Sequence, residues 1–177
     1  NATLGMTSLG QSIANAGSID FEGSGEKIVS QGIDSPAIVL QAIGGGGGWI
    51  GDVGGNAVLG ANQIGSTSSG SIDAEINYEA IQTTGKNSTG VLAQTIAGGG
   101  GFTGITTGNA LSLGSTISGN SSSNAGDVTL SNKAFIKTTG VTSAALIAQS
   151  VGGGGGASAS NSESSIRMGS ISTTTDI

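Results

Sequence analysis

The chain has 177 residues, of which 35 are glycine and one is proline, with no histidine or cysteine and a net charge of −6. Its five basic residues, Lys27, Lys86, Lys133, Lys137 and Arg167, are scattered singly, so there is no basic patch to neutralise phosphates or to sit on an anionic membrane. Without His or Cys the usual zinc sites, the Ser-His-Asp and Cys-His nucleophile arrangements and any disulfide framework are excluded.

Charged residues make up only 9% of the chain, whereas a disordered segment carries more charge and more proline. The aliphatic residues stand in short clusters bounded by Gly, Ser, Asn and Thr, the pattern of strands and turns. No signal peptide is visible, and no apolar run approaches the roughly 18 residues of a membrane-spanning helix. Glycine is also too frequent for helices, at a cost of about 1 kcal/mol per interior site. An ordered, all-β chain is expected.

Residues 1–27 read as the tail of a repeat. They open with Asn1-Ala2-Thr3-Leu4-Gly5, a cue that returns as Asn56-Ala57-Val58-Leu59-Gly60 and as Asn109-Ala110-Leu111-Ser112-Leu113-Gly114. Next comes Gly17-Ser18-Ile19-Asp20, repeated as Gly70-Ser71-Ile72-Asp73 and, more loosely, as Gly126-Asp127-Val128-Thr129. A third cue, Ile81-Gln82-Thr83-Thr84-Gly85, matches Ile136-Lys137-Thr138-Thr139-Gly140 and weakly Ile28-Val29-Ser30-Gln31-Gly32. Each cue marks a short strand.

The dominant cue follows. Ile38-Val39-Leu40-Gln41-Ala42-Ile43 runs into five glycines, Gly44 to Gly48. It recurs as Val91 to Ala97 before Gly98 to Gly101, and as Leu146 to Val151 before Gly152 to Gly156. Its glutamines are spaced by 53 residues (41 to 94) and 55 (94 to 149), and the other cues keep that spacing to within a residue. The chain thus divides into the tail at 1–27, repeats at 28–80 and 81–135, and a partial repeat at 136–177. It is expected to be an excerpt of a longer polypeptide whose targeting signals lie outside this window.

A period of 53–55 residues divides into two coils of about 27 or three of about 18, both sizes that stacked β-coils can take. The expected fold is a parallel β-solenoid (β-helix), right-handed, with the glycine runs at its corners. Those runs have two physical readings: a tight corner using φ > 0, which is favoured, or extended polyglycine hydrogen-bonded to neighbouring coils.

Alternation along the main strand separates two faces. Val39, Gln41 and Ile43, with Leu92, Gln94 and Ile96 and with Ile147, Gln149 and Val151, keep large aliphatics around the glutamine, so this set is assigned to the core. Gln41, Gln94 and Gln149 would then be buried, and each amide needs a partner. With more than one coil per repeat the copies are not neighbours, so a glutamine ladder is not expected. Backbone near the glycines is the expected partner instead.

The segment Leu146 to Gly156, preceded by Ile136-Lys137-Thr138-Thr139-Gly140, resembles the glycine-rich repeats of long autotransporter-type surface proteins of Gram-negative bacteria. The likeness covers all three copies. It implies a secreted β-helical passenger or adhesin stalk, extracellular and displayed at the outer membrane by a separate barrel. It carries over no catalytic or ligand-binding residue.

Candidate chemistry is sparse. Asp20 and Asp73 occupy matching positions with Thr129, and Glu22 and Glu75 match Ser131; such carboxylates fit a solvated face better than an acid/base pair. Gly99-x-Gly101-x-x-Gly104 and Gly46-x-Gly48-x-x-Gly51 match a dinucleotide fingerprint formally, but no helix follows them. Gly48-Trp49-Ile50-Gly51-Asp52 has the wrong spacing for a calcium roll and no counterpart in the other copies. Trp49 and Phe102 directly follow the glycines, where the third copy has Ala157. They are candidate contact residues for a sugar or surface, the plainer role being to cover the end of a coil.

The expectation is a non-enzymatic structural segment without cofactor, metal site or membrane insertion. It would belong to an extracellular bacterial fibre or adhesin stalk serving adhesion, aggregation or biofilm. Its partners would be neighbouring repeats or identical chains. The alternative is a carbohydrate- or surface-binding module on a glycine-rich scaffold.

Overall fold

The computed structural model describes residues 2–4, 11–12, 15–60, 63–64, 67–104, 107, 111–114, 123–158 and 166–168. Of the cue residues above, Asn1, Gly5, Asn109 and Ala110 lie outside these. Among the described residues every regular element is a strand, numbered here in chain order. One sheet stacks β1 (Ala2–Leu4), β6 (Ala57–Leu59), β11 (Leu111–Leu113) and β16 (Ile166–Met168). A second holds β3 (Ile19–Ser30), β8 (Ile72–Thr83) and the successive pieces β12 (Val128–Asn132) and β13 (Phe135–Thr138). A third stacks β4 (Ile38–Ile43), β9 (Val91–Ile96) and β14 (Leu146–Val151), and a fourth β5 (Gly47–Ile50), β10 (Gly100–Thr103) and β15 (Gly155–Ser158). The short strands β2 (Gln11–Ser12) and β7 (Gln63–Ile64) form a separate pair.

Each pairing is parallel, and each joins one repeat to the next in register: Ile19 with Ile72 and Val128, Gln41 with Gln94 and Gln149, Trp49 with Phe102 and Ala157. The chain is a parallel β-solenoid. The expected coil size is corrected, because one coil takes a whole repeat of 53–55 residues rather than about 27 or 18. The reason lies at the glycines. They do not close a coil but lead into a further sheet, so among the described residues the chain passes through the four larger sheets and the β2–β7 pair before it returns to its register.

Among the described residues two apolar cores result. The larger joins the second and third sheets through Ile72, Ala74, Ile76 and Ile81 on one side and Ile38, Leu40, Ala42, Val91 and Ala93 on the other. The smaller gathers Val53, Ala57, Leu59, Leu111 and Leu113, with Leu4 and Ile50 packed against them. The face assignment of the main strand is therefore corrected too. The side chains in the larger core are Ile38, Leu40 and Ala42 with Val91 and Ala93 of the middle coil, not the Val39, Gln41, Ile43 set; in β14 Leu146, Ala148 and Ser150 are exposed.

The rejected face is not solvated, however. In the middle coil all six residues of β9 are buried, Leu92, Gln94 and Ile96 included. A strand covered on both faces reads as a near-continuous apolar run, and ranking its two faces by side-chain size then has no meaning.

Candidate functional site

The glycine backbone was the expected partner of Gln41, Gln94 and Gln149; among the described residues these glutamines bind each other instead. Gln41 Nε2 donates to Gln94 Oε1 at 2.8 Å, and Gln94 Nε2 donates to Gln149 Oε1 at 2.6 Å. Gln94 is fully buried, while Gln41 and Gln149, on the two outer coils, are half-buried. The ladder forms because one coil per repeat puts identical residues on adjacent strands, about 4.8 Å apart, a spacing that one amide-to-amide bond spans. All rungs point the same way along the stack.

The glycine run combines both of its readings. Gly44 to Gly46 make the turn and Gly47 and Gly48 enter β5; Gly98 and Gly99, and Gly152 to Gly154, turn ahead of β10 and β15 in the same way. In every copy four consecutive glycines have positive φ: Gly45 to Gly48, Gly98 to Gly101 and Gly153 to Gly156, at 77–91° in the turn and 129–148° in the strand. The position before them has no positive φ, which is why Ala97 can replace glycine there. Neighbouring coils also approach closely. A Cβ on Gly47 would stand 1.8 Å from Gly100 O, on Gly101 1.8 Å from Gly48 O, and on Gly156 1.8 Å from Gly101 O. Only glycine allows this sheet.

A serine ladder at the opposite turn escaped the sequence reading. Ser35 N donates to Ser88 Oγ (3.0 Å) and Ser88 N to Ser143 Oγ (2.9 Å). In return Ser88 Oγ donates to Gly32 O (2.7 Å) and Ser143 Oγ to Gly85 O (3.0 Å). The signal was present, since serines 35, 88 and 143 keep the 53- and 55-residue spacing of the glutamines.

One residue earlier, Asp34, Asn87 and Thr142 have φ of 52°, 54° and 59°. Asn87 Nδ2 donates to Asp34 Oδ1 at 3.0 Å and also to Asp52 Oδ1, while Thr142 Oγ1 donates to Asn87 Oδ1. Lys86 closes the group through an ion pair with Asp52 at 2.8 Å. Asp and Asn tolerate the left-handed region, but a β-branched residue is strained in it. Thr142→Asn should accordingly raise stability by about 1 kcal/mol, seen as a higher urea midpoint. A lowered midpoint would mean that the Thr142 bond to Asn87 outweighs the strain.

The carboxylates noted in the sequence stack in register on an exposed face, Asp20 on Asp73 and Glu22 on Glu75, with Thr129 and Ser131 completing the columns. Among the described residues no group of three or more His, Cys, Asp or Glu side chains converges on a metal-sized site.

The aromatics divide. Phe102 is 3% exposed, whereas Trp49 on the outer coil is half-buried. Where Ala157 stands in the third coil, a hollow of about 450 Å³ remains, lined among others by Thr89, Phe102, Thr142, Ile147 and Ala157. The Thr89 hydroxyl is buried there without a hydrogen-bond partner. No family model, curated protein or solved structure matches this chain.

Proposed function

We propose that the chain is a structural segment of an extracellular bacterial surface fibre or adhesin stalk, serving adhesion, aggregation or biofilm. The observation that carries this is the in-register stacking of whole repeats, one coil each, on shared glutamine rungs. Such a stack lengthens by about 4.8 Å per repeat. Its hydrogen bonds run along the axis, so tension along the rod loads many of them at once. Parallel strands stacked in this way template further β pairing at any open edge. Export and outer-membrane display rest on the resemblance of the glycine repeats to autotransporter-type surface proteins.

Negative-stain electron microscopy of the purified chain across a concentration series tests this. Filaments of constant width are expected at high concentration, since three coils alone stand only about 15 Å tall along the axis. Particles that never lengthen along one axis would remove the fibre reading. The second reading, a carbohydrate- or surface-binding module, is favoured by one feature, the hollow beside Phe102.

A further inference from the structure

Spaced singly along the sequence, three of the five basic residues come together in the fold. Ile28, Ile81 and Ile136 stack in register and pack into the larger core. Their neighbours on either side therefore face outward, as the columns Lys27, Ala80, Phe135 and Val29, Gln82, Lys137. Lys133 joins them, because Ala134, between it and Phe135, is buried in the same core. Phe135 is 66% exposed and Val29 50%, and all three lysines are exposed. None of the three is in an ion pair among the described residues, where Lys86 with Asp52 is the pair that forms. The patch lies on a flank of the second sheet, which a coil added at either end of the stack would not cover.

Neighbouring coils lie about 4.8 Å apart and alternate residues about 6.6 Å apart, so Lys27 and Lys137 mark the corners of a patch about 12 Å across. Ala80 makes a low floor between Lys27 and Phe135. The exposed ring thus has an ammonium group on either side along its strand and a third across the floor. Gln82, Thr84 and Thr139 offer amide and hydroxyl groups beside it.

The other half of the same outer face is acidic. Asp20, Glu22 and Glu26 in β3 and Asp73, Glu75 and Glu79 in β8 are all exposed. These six carboxylates restrict the partner. A membrane surface or a nucleic-acid duplex, broad and densely anionic, would set its own charges against them. A second copy would oppose six carboxylates to three lysines on each side of the contact, an excess of like charge. A narrow polymer with spaced anionic groups avoids both when it crosses the coils over the lysine half. The apolar face of a sugar ring suits Phe135.

We propose that this patch binds an anionic polysaccharide, Lys27, Lys133 and Lys137 holding its carboxylate or sulfate groups and Phe135 stacking on a sugar ring. The site belongs to the surface-binding reading and rests on it, with the contact on the flank rather than in the hollow beside Phe102. The fibre reading does not depend on it, since a rod can form whether or not its flank binds glycan.

Isothermal titration of the whole chain with hyaluronate, chondroitin sulfate and neutral dextran tests this. Binding of the anionic polymers and not of dextran is expected, weakening as salt rises. Equal affinity for the two would assign the contact to carboxylates, and binding of chondroitin sulfate alone to sulfates. Phe135→Ala, and Lys133→Gln combined with Lys137→Gln, should each weaken binding about ten-fold or more. Neither should lower the melting temperature, because these side chains are exposed. Arginine at both lysine positions should keep the affinity. Glu26→Gln combined with Glu79→Gln removes negative charge beside the patch and should strengthen binding, whereas a cationic partner would respond the other way.

Failure to bind either anionic polymer at low salt, or equal binding of dextran, overturns the assignment. Binding that survives Phe135→Ala and the lysine variants unchanged also overturns it, while leaving the surface-binding reading in place. So does self-association in sedimentation velocity that the lysine variants abolish, which would make a second copy the occupant. Filaments under the microscope would leave the fibre reading standing in each case.

Discussion

Alanine at Gly100 is expected to cost more than about 4 kcal/mol, a loss large enough to unfold most single domains. Two effects add at this position. Its φ of 135° is one that side-chain-bearing residues rarely adopt, and a Cβ would lie 1.8 Å from Gly155 O on the next coil. Relief requires the coils to part by well over 1 Å. That breaks the bond donated by Gly155 N to Gly99 O, 3.1 Å long, which ties the same two coils together.

Two comparison variants separate these effects. Gly153→Ala has the positive φ, 84°, but nothing within 4 Å of the added methyl, so it should cost only about 1–2 kcal/mol. Gly44→Ala has neither penalty by register, because Ala97 holds that place in the middle coil, and should cost less than about 1 kcal/mol. Urea midpoints should follow the order Gly44→Ala, Gly153→Ala, Gly100→Ala. A Gly100 variant as stable as the Gly44 variant would refute the close-packed polyglycine sheet.

Replacing Gln94 by leucine should destabilise the fold by about 2–4 kcal/mol. The loss is not one of volume, since leucine fills nearly the same space. It comes from the Gln41 amide, left without its acceptor, and the Gln149 carbonyl, left without its donor, on strands that bury them partly. Removing the whole ladder, with leucine at positions 41, 94 and 149, leaves no orphaned amide. That triple variant should therefore recover most of the loss and be more stable than the single one. If the three substitutions cost their separate amounts added together, the glutamines act independently and the ladder carries no cooperative role.

Both predictions rest on contacts between repeats, and this is where legibility in the sequence ended. The columns were readable: the period that aligns Gln41, Gln94 and Gln149 also aligns Asp20 with Asp73 and Trp49 with Phe102, and the structure pairs these residues in register. The strands were readable too, because alternation and turn residues are local properties. So was the demand for glycine after each main strand, although only backbone angles separate Gly44, where alanine is tolerated, from Gly45 to Gly48.

By itself, then, the sequence determined an all-β chain, its repeat length and the residues that share a column. Only the tertiary structure decided that a whole repeat makes one coil, that Ile38, Leu40 and Ala42 face the larger core, and that the glutamines bind each other. The physical reason is that closure of a coil is non-local. Period-2 alternation says which side chains share a face, but not how many strands the chain runs through before it returns. Once the glycine turn adds a further sheet, β9 is buried on both sides and its pattern no longer distinguishes inside from outside.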